Sequence, residues 1–301
     1  MPEHVRITDV AARDGLQNEP ATIATPDKIR LIELLARSGV DEIELTSFVS
    51  RRWIPQLGDA AEVCAAVATA KPDGVQYSAL VPNEAGMRAA LAADEAAGGG
   101  LLNKVAVFTA ASETFAQRNT NASIAETLAR FEPVLDLAAE HGIAVRGYVS
   151  CAVACPFEGP IAPQIVADIT GRLWDRGVDE LDLADTIGAG APESVLAMLQ
   201  AVVARIGDEF LDRITLHLHD TQNRAADCVR AAYEFGLRSF DGAVAGLGGC
   251  PYASTAERRA PGNLATETLV RVVHECGGST TVDEVQLAAA VRFASSLRTQ
   301  C

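Results

Sequence analysis

Along the chain, short apolar or β-branched runs alternate with polar turns and with helix-length segments whose apolar residues recur on one face. Val5–Asp9, Glu42–Phe48, Val75–Val81, Lys104–Thr109, Ala144–Val149, Glu180–Ala184, Ile214–His219 and Ser239–Ala245 read as strands, eight in all. The clearest helix is Pro26–Ser38, where Thr25 is placed to cap, Pro26 suits the first turn, Ile29, Ile32 and Leu35 share a face, and Gly39 suits the stop. Ser123 followed by Glu126 fits a capping box that opens another. Eight strands alternating with helices predict a single (β/α)8 TIM barrel over about residues 4–277, rather than two open sheets. Thr281–Leu297 predicts an extra amphipathic helix within a C-terminal helical segment of about 281–301, and no linker interrupts the single domain spanning 1–301.

Composition narrows the partners. The 301 residues are 49% hydrophobic and 22% charged, which suits a folded helix-and-strand protein and argues against disorder. A formal net charge of -15 argues against nucleic acid and against an anionic membrane surface, since both are bound through clustered Lys and Arg. The N-terminus has neither a signal-peptide core nor a transit-type sequence, and no apolar run approaches a membrane span, so a cytoplasmic protein is expected. The seven cysteines, an odd number, argue against a secreted disulfide framework. Cys64, Cys228 and Cys276 fall in helix-like stretches and read as packed thiols. Asn121-Ala122-Ser123 is then an accidental glycosylation match.

In a TIM barrel the C-terminal strand ends open on the face that carries the active site. The loop after the first strand holds Arg13, Asp14 and Gln17, and the second strand holds Glu44, a buried carboxylate in need of a partner for which Arg13 is a candidate. The sixth strand leads to Asp185. His217 and His219, two apart, project from one face of the seventh, an arrangement that alone reads equally as a metal site or as polar residues at a strand end. The eighth runs into Gly246-Leu-Gly-Gly-Cys250, a glycine-dense loop that leaves Cys250 at the barrel mouth, and Asn263 follows before the last barrel helix, which it could also simply cap. Two imidazoles, a carboxylate and an amide suit Mg²⁺ or Mn²⁺ better than a closed structural zinc site. Such a cation can hold a hydroxyl and a neighbouring carbonyl.

These stretches form recognisable motifs: Arg-Asp-Gly-Leu-Gln-Asn-Glu at 13–19, Glu-Leu-Thr-Ser-Phe-Val-Ser at 44–50, Arg-Gly-Tyr-Val-Ser-Cys-Ala at 146–152, Asp-Thr-Ile-Gly at 185–188, His-Leu-His-Asp-Thr at 217–221, Ala-Gly-Leu-Gly-Gly-Cys-Pro-Tyr-Ala at 245–253 and Gly-Asn-Leu-Ala-Thr-Glu at 262–267. Over nearly its whole length the chain resembles the 3-hydroxy-3-methylglutaryl-coenzyme A (HMG-CoA) lyases. The cysteine loop and the Arg-Gly-Tyr segment favour that branch over the related isopropylmalate and homocitrate synthases. The resemblance implies that Asp14, His217, His219 and Asn263 bind the divalent cation, and that Arg13 stabilises the enolate oxygen of the thioester. It also implies that Cys250 donates or accepts a proton, that Glu44 and Asp185 complete an acid/base network to which His217 belongs, and that Gln17 lies near substrate. The implied partner is an acyl-CoA, cleaved to acetoacetate and acetyl-CoA, and the implied assembly is a homodimer. Pro20 departs from the lysine that family members often carry there, and the stretch Ser254–Pro261 is longer than in relatives. Arg258 and Arg259 within it read as solvated charges rather than as contacts to coenzyme A phosphates, and no role is expected for Cys301. A bulkier branched 3-hydroxyacyl-CoA, a condensing acyltransferase, and a binding barrel without activity are the alternatives.

Overall fold

Successive strand residues point to opposite faces, and here the two faces differ in chemistry. Ile7, Ile43, Leu45, Val105, Val107, Leu181, Leu183, Leu216 and Phe240 are fully buried in the layer under the helices. The alternate positions Thr8, Glu42, Glu44, Lys104, Arg146, Asp182, Thr215, His217 and Asp241 are also buried, and they reach one another across the interior. An interior usually filled by branched aliphatic residues is polar in this chain.

The computed structural model describes residues 2–249 and 262–298. The strands β1 (Arg6–Asp9), β2 (Glu42–Ser47), β3 (Gln76–Leu80), β4 (Lys104–Ala110), β5 (Ala144–Ser150), β6 (Glu180–Asp185), β7 (Ile214–Leu218) and β8 (Ser239–Gly242) pair in parallel, in sequence order. β8 returns to β1 and closes the barrel, as the hydrophobic pattern predicts. Around it lie α1 (Thr25–Ser38), α2 (Ala60–Ala68), α3 (Glu84–Ala96), α4 (Glu113–Thr120), α5 (Ile124–His141), α6 (Pro163–Trp174), α7 (Pro192–Ile206), α8 (Ala225–Phe235) and α9 (Thr266–Glu275). The additional helix α10 is Glu284–Arg298. It buries Leu287, Ala290, Ala294 and Leu297 and packs on α1.

Several local bounds differ from expectation by one to three residues, Asn263 does not cap α9, whose N-cap is Ala265, and two of the differences have a visible cause. Thr25 is the first helical residue rather than the cap, and its hydroxyl donates to Asp59 Oδ2 at 2.7 Å, a partner 34 residues away that no local pattern reveals. The eighth strand stops at Gly242 instead of Ala245, because the chain turns tightly at Val244–Gly246 with Ala245 at φ 58°. Ser123 and Glu126 do form the reciprocal capping box that opens α5, and Gly39 ends α1 in the left-handed conformation.

Candidate active site

The upper ends of β1 and β8 and the start of α9 are tied together by one carboxylate. Asp9 Oδ1 accepts the Ala11 N–H at 2.8 Å, and Oδ2 accepts the Val244 N–H at 2.9 Å and the Thr266 hydroxyl at 2.6 Å. Burial raises its pKa to about 7 against the pull of these donors. Asp9 thus fixes the π-helical turn Ala11–Gly15 to the loop after β8 and to α9. That turn carries Arg13 and Asp14.

Arg13 Nε donates to Glu44 Oε2 at 2.5 Å and Nη1 to Asp14 Oδ1 at 2.6 Å. Burial disfavours the guanidinium charge, but Glu44 and Asp14 outweigh it and carry the Arg13 pKa above the ordinary arginine value. Burial also acts against ionised Asp14, and here Arg13 with the two histidines prevails, holding the carboxyl below the usual range. Glu44 is raised, burial being only partly offset by Arg13. It stands behind the arginine, away from the cavity, where it positions the guanidinium.

His217 is the inward residue near the end of β7, and His219 follows one pleat on, with ring centroids 5.2 Å apart. Residues 262–265 then lie along the end of β7: Leu264 N–H donates to Leu218 O at 2.8 Å, and His219 bridges to Asn263. Asn263 Nδ2 donates to Asp14 Oδ2 at 2.9 Å and to Leu247 O at 3.0 Å. Because both partners are acceptors, the amide nitrogen faces them and Oδ1 is left over. Gly248, at φ 109°, lets the loop after β8 approach so closely that a Cβ there would stand 2.8 Å from that amide nitrogen.

Asp14, His217 and His219 each offer a ligand atom within 4.8 Å of the others. His219 Nδ1 and Asn263 Oδ1 are buried without a hydrogen-bond partner, an arrangement that costs free energy unless a ligand supplies the missing interaction. The donor set is therefore chemically suited to a divalent cation. Burial lowers the His219 pKa to about 4, with His217 adding to the effect, so this imidazole is neutral and ligand-competent at neutral pH. Asp182, His217 and Asp241 meet the same 4.8 Å measure, but Arg146 Nη1 stands 3.8 Å and 3.6 Å from the two carboxylates and would repel a cation. They act instead on His217 from below. Its Nδ1 lies 3.5 Å from Asp241 Oδ2, which also accepts the Tyr148 hydroxyl at 3.2 Å. Burial opposes the Asp241 charge but Arg146 and His217 keep it ionised, whereas Asp182 is raised by burial and by Asp241 beside it.

Above this cluster opens a cavity of about 640 Å³, lined at its deep end by Arg13, Asp14, Gln17, Tyr148, His217 and His219. The structure thus brings Arg13, Asp14, Gln17, His217, His219 and Asn263 together. Asp185 stands apart from the cavity. Its oxygens accept the Ala189 N–H at 3.1 Å and the Gly190 N–H at 2.7 Å, so it shapes the loop that follows β6 and presents Thr186 to the cavity. Cys250, Arg258, Arg259, the Ser254–Pro261 stretch and Cys301 lie outside the described residues. Sequence reasoning missed Asp9, Asp182 and Asp241.

The HMGL-like profile matches residues 4–293, nearly the whole of the fold and every strand end just described. The chain belongs to the HMGL-like family. Among members of the family, it is 44% identical to the 3-hydroxy-3-methylglutaryl-CoA lyase, cytoplasmic, of Rattus norvegicus over 94% of this chain and 78% of the relative. The crystal structure of the HMG-CoA lyase from Brucella melitensis superposes with a TM-score of 0.90 at 46% identity, covering 99% of both chains. An HMG-CoA lyase of A. baumannii, solved with coenzyme A and 3-methylmalate, superposes with a TM-score of 0.88 at 33% identity, covering 98% of this chain and 92% of that one. Among the described residues no helix is long and apolar enough to cross a membrane.

Proposed function

We propose that this HMGL-like protein cleaves HMG-CoA to acetoacetate and acetyl-CoA with the help of a divalent cation, Mg²⁺ or Mn²⁺, and that residues 1–301 act as one catalytic domain. The observation that carries the reading is the convergence of Asp14, His217 and His219 beside the unpartnered Asn263 Oδ1, directly beneath a cavity that also receives Arg13. Relatives of this family at 44–46% identity bear the lyase name, which favours cleavage over condensation.

Asp14, His217, His219 and Asn263 would hold the cation, which when bound would polarise the C3 hydroxyl and an adjacent carbonyl oxygen of the substrate. The chain's own groups do the rest. Bond cleavage between C2 and C3 requires the tertiary hydroxyl to lose its proton, the C3–O bond to become a ketone, and the bonding pair to pass to C2 as a thioester enolate. Arg13, charged and immobilised by Glu44 and Asp14, presents a preorganised positive charge where the enolate oxygen develops. Asp241 and Tyr148 hold the His217 ring from behind. Gln17 and Thr186 face the same space and orient the acyl group. Cys250, one residue beyond the described Gly249, remains our candidate both for accepting the hydroxyl proton and for returning it to C2, which converts the enolate to the methyl of acetyl-CoA. A homodimer in the cytoplasm is part of the same reading, supported by the resemblance to the HMG-CoA lyases.

The test is release of acetyl-CoA and acetoacetate from HMG-CoA with Mg²⁺, with Mn²⁺ and with a chelator. Rapid turnover that the chelator removes and the metal restores is expected. A folded protein inactive with either metal, or active only on a larger 3-hydroxyacyl thioester, would overturn the assignment.

A further inference from the structure

The oxygen ligands of the candidate cation site come from two sides of the seam where β8 returns to β1. Asp14 arrives on the turn after β1, and Asn263 on the stretch 262–265 that enters α9. These two sides meet at two levels. At the upper level Asn263 Nδ2 donates to Asp14 Oδ2 at 2.9 Å and to Leu247 O at 3.0 Å. That contact is made by the ligand residues themselves, so a cation taken up by Asp14 competes with it for the same carboxylate. It cannot set the spacing of the ligands on its own.

The lower level shares no atom with the site. Asp9 is fully buried and accepts three donors, each at the start of a segment. The Ala11 N–H opens the π-helical turn, the Val244 N–H opens the tight turn Val244–Gly246, and the Thr266 hydroxyl belongs to the first residue of α9. The starts of helical segments leave N–H groups without partners inside the segment, and a carboxylate can serve several donors at once. The turn needs such a holder. π-helical geometry is rare and occurs mostly at functional sites; here the Gly15 N–H closes it on Val10 O at 3.1 Å. It is packed so tightly that a Cβ on Gly15 would stand 2.9 Å from the Leu247 Cβ. Among the described residues no cation pairs with Asp9, and Glu267 on α9 adds to the cost of its charge. An amide of the same size would bring N–H groups of its own against those of Ala11 and Val244.

We propose that Asp9 is a positioning residue that sets the span between Asp14 and Asn263 across the cation site, and with it the affinity for the metal. Asp9 touches neither cation nor substrate. It acts through the π-helical turn on one side and through Val244 and Thr266 on the other. The proposal rests on the metal-dependent lyase reading for its cation and adds what spaces the ligands.

The experiment measures Mn²⁺ dissociation constants by electron paramagnetic resonance on substrate-free wild type, Asp9→Asn, Thr266→Val and Lys104→Met, with urea midpoints and HMG-CoA cleavage alongside. Asp9→Asn is expected to raise the dissociation constant by about tenfold or more. Thr266→Val, which removes one donor and leaves the carboxylate in place, should raise it by about threefold. In both variants kcat at limiting Mn²⁺ should fall and excess Mn²⁺ should restore most of it, with KM for HMG-CoA within about twofold. Lys104→Met breaks the buried ion pairs to Glu42 and Glu180 and should bind Mn²⁺ as the wild type does. Wild-type Mn²⁺ affinity in folded Asp9→Asn, or in Thr266→Val should Asp9→Asn not fold, overturns the positioning role. So does an equal loss of affinity in Lys104→Met, which would make the effect one of general stability. Wild type that binds Mn²⁺, with the variants binding it more weakly and none of the proteins cleaving HMG-CoA, overturns the lyase reading and leaves the role of Asp9 standing.

Discussion

The barrel interior holds two ionisable clusters of opposite character, stacked one above the other. At the floor, Lys104 Nζ bridges Glu42 at 2.6 Å and Glu180 at 2.5 Å, and Arg146 Nη2 bridges the same two carboxylates at 3.0 Å and 2.9 Å. Two cations meet two anions, and Thr215 donates a further hydrogen bond to Glu180 at 2.6 Å. Burial alone would raise the Glu180 carboxyl, yet Arg146, Lys104 and Arg6 carry it well below the ordinary range. At the mouth, Asp14, His217 and His219 bring ligand atoms within 4.8 Å of one another, and His219 Nδ1 and Asn263 Oδ1 have no hydrogen-bond partner. Both clusters incur desolvation; the floor offsets most of it through four cation–carboxylate contacts, with Glu42 Oε1 and Arg146 Nε left over, whereas at the mouth the atoms left over are of the kind that ligate a cation. A buried charge set in which every cation meets carboxylates reads as scaffold, and one whose ligand atoms gather without a cation among them reads as a binding site.

Exchanging the roles by mutation gives the largest expected effects. His219→Ala should lower kcat by about 10³-fold, the equivalent of several kcal/mol of lost charge stabilisation, while shifting the urea midpoint little, because the imidazole Nδ1 satisfies no protein partner. Arg146→Met should do the reverse to stability. It takes from Asp241 its buried arginine and leaves Glu42 and Glu180 to share Lys104 alone, and breaking such a buried network costs roughly 3–5 kcal/mol in urea unfolding. Equal destabilisation by the two variants would erase the distinction between floor and mouth.

A second test adds what the mouth lacks. Mn²⁺ at about 100 times its dissociation constant should stabilise the wild type by roughly 3 kcal/mol through mass action, seen as a rise in Tm that a chelator reverses. Asn263→Leu, which keeps the approximate volume and removes Oδ1, should weaken that rise, whereas Lys104→Met should leave its size unchanged from whatever lower Tm that variant has. A rise that survives loss of the amide would remove Asn263 from the ligand set.

Much of this was legible in the chain before folding, and the gaps have physical causes. The eight strands follow from short runs of branched residues, and the residues at the ends of β1 and β7 could be named because a barrel gathers its C-terminal strand ends on one face. The floor was written in the same stretches, as Glu-Leu-Asp-Leu at 180–183 and Ile-Thr-Leu-His at 214–217, where polar residues hold every second position. Their partners were not, since Glu180 meets Lys104 and Arg146 only through the register of neighbouring and opposite strands. Asp9 was hidden for the same reason: its acceptors gather Ala11, Val244 and Thr266, up to 257 residues away.

The smallest effect we predict concerns protons, and it separates the clusters by sign. Burial holds the folded-state pKa of His219 near 4, against an ordinary value of 6.5, so between these values the unfolded chain binds a proton that the folded chain does not. Stability contributed by the neutral imidazole is therefore present above about pH 6.5 and is lost as pH falls toward 4. In chelator-treated protein, moving from neutral pH to about 5.5 should cost about 1–2 kcal/mol from this residue alone, and His219→Gln should flatten that part of the urea-midpoint profile. Glu180, held ionised below this window, and Arg146, charged above it, contribute nothing to the slope. A Lys104→Met variant should therefore be uniformly less stable with the same slope. If His219→Gln instead keeps the wild-type slope, the imidazole is not the group that titrates, and the mouth is as electrostatically closed as the floor.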